Sequence, residues 1–425
     1  MNPRTGFRIA HLGTFPPRKC GIATYTEDVV NAVHGIDTAI SRRLDVAPPI
    51  VVAMRALGER IDYAEPVSYT IAQDVPEDYQ RVARELNRSG VDMVHIQYEH
   101  GIFGGPCGLH LNHFLDALEI PVVATLHTTL PEPSEAMAKA IRELAKRSER
   151  LVVLNSRALP LLRDSYGVPD RYIQQQTVVI PHGAPDLDPK DRPAIRKRLN
   201  VCGETVVSTF GLLSPGKGLE HAIRAVAEVA DKHPSLHYYI LGQTHPGVVR
   251  ESGESYRESL IALAEELGIA DRIKFVNRYL CLDELCDWLQ ATDLYVTPYL
   301  NPHQIVSGTL AYAVAAGKPV VSTPYLHAQE ILSEGRGVLT PFGDPLQLAN
   351  NLGRLLDDTD YRDRIGRAAW RFGRQTTWSA IATRYIDTFA QVAQPTERHT
   401  PTSRPVSVRA LRPNMGGLVP HATAS

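Results

Sequence analysis

The sequence predicts an α/β protein made of two doubly wound, Rossmann-like parallel-sheet domains that face a central cleft. Three observations lead there. The chain has 425 residues, 43% of them apolar and 22% charged, an ordinary globular composition at about three times a common domain length. Short apolar runs rich in β-branched residues recur, and helix-period segments fill the gaps between them, which is the alternation of a parallel sheet with crossover helices. The series occurs twice, separated by the polar stretch Pro185–Pro193.

In the first series the expected strands are Arg8–Leu12, Ile50–Met54, Val91–Gln97, Ile120–Leu126, Leu151–Leu154 and Thr177–Ile180. Ile22, Tyr25, Val29 and Val33, three, four and four apart, give the helix after the first strand one apolar face. The second series has strand candidates at Val206–Phe210, His237–Leu241, Arg272–Val276, Asp293–Thr297 and Lys318–Ser322. Its first helix is marked by Leu219, Ala222, Ile223, Val226 and Val229. The domains are therefore placed at 1–185 and 186–372. Residues 394–425, with repeated Pro, Ser and Thr and four arginines, are expected to form a disordered, mildly basic tail.

Forty-five basic against 47 acidic residues give a net charge of -2, so nucleic acid is not an expected partner. Five scattered cysteines without a C-x-x-C pair suggest neither a disulfide framework nor a zinc site, and no Asp-x-Asp is present to hold a divalent ion. Reduced thiols, no signal-peptide pattern in the first eight residues and no apolar run of about 18 to 20 residues predict a cytoplasmic protein.

Three loops at the carboxyl ends of expected strands carry chemistry. After Phe210 comes Gly211-Leu212-Leu213-Ser214-Pro215-Gly216-Lys217-Gly218 and then a helix; a glycine-rich turn, a helix N-terminus and a lysine together attract phosphate. The same turn also suits an ordinary loop with a solvated lysine, and it matches neither the P-loop nor the dinucleotide fingerprint. Ser307, Gly308 and Thr309 open a slim, alanine-rich helix and offer a second anion-binding start, while the alanines themselves suit close packing. After Leu12, the loop through Arg18, Lys19 and Cys20 closes on Gly21, or is only a proline-stiffened loop. Glu99 and His127 each follow a strand, where a solvated carboxylate and a structural histidine are the alternatives to site residues. Lys139, Arg142, Lys146 and Arg150 line one helical face, diluted by Glu143 and Glu149, a pattern that usually marks a solvated face.

In order and spacing, residues 7–392 resemble the retaining glycosyltransferases of family 4, which have the GT-B architecture. The resemblance rests on Cys20-Gly21-Ile22, Thr125-Leu126-His127, Ile180-Pro181-His182-Gly183, the Lys217 turn, and Ala311-Tyr312-Ala313-Val314-Ala315-Ala316-Gly317-Lys318-Pro319-Val320 continued by Gln329-Glu330-Ile331. It implies that a C-terminal helix, about 373–392, rejoins the first domain. Two departures stand out: Gln304 and Tyr312 occupy the places of the family's E-x(7)-E pair, and Leu212 stands where an Arg is usual.

The resemblance implies a metal-independent, retaining transfer of a hexose, without cofactor, from a nucleotide diphosphate sugar to a carbohydrate or lipid-linked acceptor held by the first domain. Lys217, with backbone N–H groups of Ser307 and Gly308, is expected to stabilise the diphosphate. Gly21, Gly211 and Thr309 line the donor site, Gln304 holds sugar hydroxyls, Tyr312 the ribose, and His127 acts catalytically. Arg18, Lys19 and Glu99 are expected on the acceptor side, and the basic helix face implies a weak peripheral contact with the inner face of a membrane. Loss of the carboxylate pair and the Arg keeps two alternatives open: a glycoside phosphorylase on the same fold, and a catalytically silent sugar or nucleotide-sugar binder.

Overall fold

The computed structural model of the chain describes residues 6–36, 44–56, 58–187 and 192–393, so the expected tail lies outside the described residues. Seven parallel strands form the first sheet: β1 (Ile9–Gly13), β2 (Ile50–Arg55), β3 (Val67–Ala72), β4 (Met93–Tyr98), β5 (Val122–Leu126), β6 (Arg150–Val153) and β7 (Thr177–Val179), in the order β3-β2-β1-β4-β5-β6-β7. Six parallel strands form the second: β8 (Thr205–Phe210), β9 (Leu236–Leu241), β10 (Ile273–Val276), β11 (Leu294–Thr297), β12 (Val320–Ser322) and β13 (Val338–Leu339), in the order β10-β9-β8-β11-β12-β13. In both sheets the winding reverses beside the first strand, β1 or β8, and a doubly wound sheet opens its ligand crevice at that point.

The central strands were legible because helices cover both faces, leaving nearly continuous apolar runs; every residue of β1, β4, β5 and β11 is buried. Two edge strands were not. β3 interleaves Ser68 and Thr70 with apolar residues and is only part-buried, and β13 is two residues long.

The helix Gly21–His34 follows β1 and is capped by Cys20, whose Sγ accepts the Ala23 N–H at 3.3 Å. Its apolar face, with Tyr25, Val29 and Val33, packs with Ile9, Met93, Val123 and Val152 of the sheet. The same cluster takes Ile381, Tyr385, Ile386 and Phe389 from the helix Trp378–Ala393, so the far end of the described chain completes the core of the first sheet. Where the chain crosses between sheets the two connecting segments pair: Ala184 N–H donates to the Thr376 carbonyl and Trp378 N–H to the Ala184 carbonyl, both at 2.9 Å.

A chain of buried polar groups runs through this core. The Ala47 carbonyl can only accept, so the His34 Nδ1 at 2.8 Å carries the proton and its Nε2 accepts from His11 Nε2 at 3.0 Å. His11 Nδ1 then accepts from His95 Nδ1 at 3.2 Å, and His95 Nε2 from Thr125 Oγ1 at 2.9 Å. Tyr385 lies 3.1 Å from Thr125 and Tyr25 lies 2.9 Å from Tyr385, so the donor direction continues to the tyrosine pair. Every ring is neutral, with one nitrogen giving and one taking.

Burial drives all three histidines toward that neutral form, His95 to about 3 and His34 to about 4 against an ordinary 6.5, and His11 well below it. An unfolded chain protonates them near pH 6.5. Their folded pKa values are depressed, so the stability they carry is whole above pH 6.5 and is lost as the pH falls toward 4 and 3. The thermal midpoint is therefore expected to be level from about pH 8 to 7 and to drop steadily below pH 6.5. Calorimetry across that range checks this, and a midpoint unchanged down to pH 4 would show that the rings are not held neutral.

Candidate active site

The carboxyl ends of the two sheets enclose a cleft of about 470 Å³. Its second-domain wall begins after β8. Gly211 has φ 126° and faces Gly242 so closely that a Cβ on Gly242 would lie 2.2 Å from the Gly211 carbonyl oxygen. A 3₁₀ turn, Pro215–Lys217, then presents Lys217 to the cleft. Its ammonium rests 3.9 Å from the centre of the Tyr299 ring, a cation–π contact. Tyr299 is fully buried, stacks on Tyr325 at 5.5 Å and bonds Thr309 Oγ1 through its hydroxyl at 2.8 Å.

The helix Gly308–Ala315 supplies the rest of this wall. Ser307 caps it, its Oγ accepting the Leu310 N–H at 3.3 Å. The Ser307 N–H is already donated to His327 Nδ1 at 2.9 Å, so the expectation that it binds phosphate is corrected; Gly308 and Thr309, at the helix start, line the cleft. Gly308 is close against His182, with an added Cβ 2.9 Å from Nε2. Gln304 is a second correction. Its amide nitrogen donates to the Val306 carbonyl at 3.0 Å, folding the side chain onto its own loop, and it does not line the cleft.

On the first-domain wall Gly21 is open, with nothing within 4 Å of an added Cβ. The Tyr25 ring meets His127 and His182 edge-on at 4.7 and 4.9 Å. His127 Nε2 donates to Gln97 Oε1 at 2.9 Å, which leaves Nδ1 as the unprotonated nitrogen. Burial first, then His182 and His95, push His127 down to about 3. A neutral imidazole of this kind accepts a hydroxyl hydrogen but is not a general acid at neutral pH. Glu99 also lines the cleft and accepts from Thr128 Oγ1 at 2.6 Å. The expected cations of the first loop do not converge there. Arg18 reaches back to the Met54 carbonyl at 3.4 Å and to Glu59 at 3.6 Å, and Lys19 stands 5.8 Å from the Tyr279 ring, outside the cleft lining.

Side chains also meet between the two domains. Tyr312 donates its hydroxyl hydrogen to Asp28 Oδ2 at 2.8 Å, Tyr279 and Thr24 hydroxyls lie 3.2 Å apart, and Ser156 Oγ donates to Glu330 at 2.6 Å. Burial raises Asp28 to about 7, opposed by the Tyr312 bond and reinforced by Glu27. On the basic helix face Arg142 and Lys146 are paired with Glu135 and Glu143, at 2.5 and 2.8 Å. Among the described residues no group of three His, Cys, Asp or Glu is placed to hold a metal, and no helix is long and apolar enough to cross a membrane.

Comparison with known proteins accounts for this arrangement. The family model for glycosyl transferases group 1 matches residues 204–358, and that for Glycosyltransferase Family 4 matches residues 33–186. The chain is 30% identical over 327 residues to a D-inositol 3-phosphate glycosyltransferase of Corynebacterium efficiens, covering 72% of this chain and 73% of that one. A D-inositol 3-phosphate glycosyltransferase of Nocardioides is 26% identical over 390 residues, covering 84% and 82%. The chain belongs to glycosyltransferase family 4. Anabaena HepE in complex with UDP superposes with a TM-score of 0.71 at 19% identity over 91% of this chain and 100% of that one. Sucrose-phosphate synthase of Thermosynechococcus elongatus gives 0.68 at 17% identity, over 91% and 99%. The fold of this family 4 glycosyltransferase is therefore GT-B.

Several cleft residues escaped sequence reading. Tyr25 was legible only as part of an apolar helix face, His182 lay in a recognised segment without a role, and Asp28 is one carboxylate among many on a helix. Tyr299 stands inside the Pro298 loop, and nothing in its spacing shows that it backs a lysine. Removing the ammonium with Lys217→Ala is expected to weaken nucleoside diphosphate binding by about 1.5 to 3 kcal/mol. Tyr299→Leu, which removes only the ring beneath it, is expected to cost about 0.5 to 2 kcal/mol of that affinity. Titration calorimetry measures both, and unchanged affinity in Lys217→Ala would take this lysine out of the site.

Proposed function

We propose that this glycosyltransferase moves a hexose from a nucleotide diphosphate sugar to a hydroxyl of a carbohydrate or lipid-linked acceptor, with retention at the anomeric carbon. The observation that carries the reading is the convergence of Lys217 with the start of the Gly308 helix on one side of the cleft. A fixed cation and two helix N-terminal N–H groups favour a diphosphate, and favour it more as negative charge grows on the leaving oxygen. Anabaena HepE, crystallised with UDP and glucose, lends support from the fold, and the inositol phosphate relatives support a polyol acceptor.

In this mechanism the bond between C1 of the sugar and the diphosphate oxygen breaks as the acceptor oxygen bonds C1 on the same face, and the acceptor proton passes to the leaving phosphate. The protein's share is orientation and charge stabilisation. Lys217, Gly308 and Thr309 hold the diphosphate. Neutral His127 accepts a sugar hydroxyl, and Glu99 faces the acceptor. Gln304, folded onto its own loop, is given no role in this mechanism.

The departed carboxylate pair leaves two rivals, a glycoside phosphorylase and a binder without turnover, and one experiment separates the three readings. Wild-type protein is screened by thermal shift against nucleotides, nucleotide sugars and phosphate, and then assayed for nucleotide release with a polyol acceptor. A midpoint rise with one nucleotide sugar and release of its nucleotide are expected. A rise without release in the presence of every acceptor tried would favour the binder; a rise with phosphate alone would favour a phosphorylase. Turnover is expected to survive EDTA, and loss of activity in EDTA restored by magnesium or manganese would overturn the metal-independent reading.

A further inference from the structure

We propose that Asp28 is a specificity-determining residue: reaching from the first domain onto Tyr312 of the second, its carboxylate reads the ribose diol of the donor nucleotide. The inference rests on the nucleotide reading of the cleft given above and adds a residue, from the opposite domain, that tells a ribose from a deoxyribose.

Tyr312 has one hydroxyl hydrogen, and it is donated to Asp28 Oδ2 at 2.8 Å. What the hydroxyl has left is acceptor capacity, and an ionised carboxylate has nothing else. Together the pair presents an accepting surface. With Asp28 ionised, a phosphate or a carbonyl finds no donor there, whereas neighbouring hydroxyl groups do find acceptors. Tyr312 is nearly closed to solvent, at 6% exposure, so a hydroxyl of the ligand that reaches it meets little competing water.

Gly308 and Tyr312 lie on one helix, four residues and therefore about 6 Å of rise apart, one turn from the anion-binding start to the accepting pair. Beyond the pair stands the helix Leu282–Ala291, whose Leu285 lines the cleft with Leu280 and whose Cys286 feels the Asp28 charge. The cleft thus offers a cation with N–H groups, acceptors one helical turn away, and apolar residues on a helix beside those acceptors. Phosphate, sugar diol and planar base follow one another in that order in a nucleotide. Burial holds Asp28 near 7, and a hydroxyl donating to the carboxylate would favour its charged form.

The test is calorimetric titration of the full chain with UDP, GDP and ADP and with their 2′-deoxy and 3′-deoxy counterparts, for wild type, Asp28→Asn, Tyr312→Phe and Lys217→Ala. Wild type is expected to bind one ribonucleoside diphosphate about tenfold or more tightly than its deoxy forms. Asp28→Asn keeps the shape but replaces one acceptor by a donor, and is expected to bring that ratio within about threefold. Tyr312→Phe is expected to narrow it as well, which keeps the proposal open to refutation should Asp28→Asn fold poorly. Lys217→Ala is expected to weaken both forms and leave the ratio intact. A ratio unchanged in Asp28→Asn and in Tyr312→Phe overturns the role of Asp28 while leaving the nucleotide reading standing. Wild type binding none of the diphosphates overturns both.

Discussion

The arrangement depends on the buried hydrogen-bond chain from Tyr25 through Tyr385, Thr125, His95 and His11 to His34 and the Ala47 carbonyl. Apolar packing alone would let the Trp378 helix slide or rotate on the sheet, because methyl and aromatic contacts are tolerant of register. A polar chain in a dry core is not tolerant: each displaced partner leaves a desolvated donor or acceptor, at about 1 to 3 kcal/mol. The chain therefore sets where the Gly21 helix and the Trp378 helix stand. Tyr25 belongs both to this chain and to the cleft wall, so the interior fixes the surface on which Asp28 and Gly21 are displayed.

That rigid wall faces one of a different electrical character. Lys217 and the start of the Gly308 helix give the second domain a donor-rich, positive end, with Tyr299 beneath the ammonium to hold it without neutralising it. A carboxylate in that position would have paired with the lysine and blunted its attraction for phosphate. An aromatic face attracts the cation without pairing its charge, and Leu212 nearby adds no second cation. The neutral state of His127 fits the same economy of charge, since an imidazolium beside Tyr25 would have to be buried without a counterion.

How much of this was legible in the sequence follows from which forces have a period. Strands buried on both faces and helices with one apolar side announce themselves, so eleven of the thirteen strands were placed, and β3 and β13 failed because edge strands need not be apolar or long. Gly21, Glu99, His127, Gly211, Lys217, Gly308, Thr309 and Tyr312 do line one cleft. Gln304 and the Ser307 N–H satisfy neighbours within their own fold, and Arg18 turns to a carbonyl, choices made by local hydrogen bonds that no spacing records. Asp28 illustrates the opposite failure. Its importance lies in a contact with a residue 284 positions away, and nothing around it in the sequence marks it out.

The Trp378 helix has a further consequence, in the order of events as the chain is made. The core beneath the Gly21 helix lacks Ile381, Tyr385, Ile386 and Phe389 until the whole second sheet has been synthesised. Until then Thr125 and Tyr25 face a gap rather than Tyr385, and the polar chain ends unpartnered inside apolar surroundings. The first domain can collapse early but cannot close. The second domain, whose strands β8 to β13 are contiguous in the sequence, has no such wait. The half of the protein made first is thus the half finished last, and in the interval an apolar groove the length of the Trp378 helix stays open to solvent, a place for a chaperone to hold and for neighbouring chains to stick.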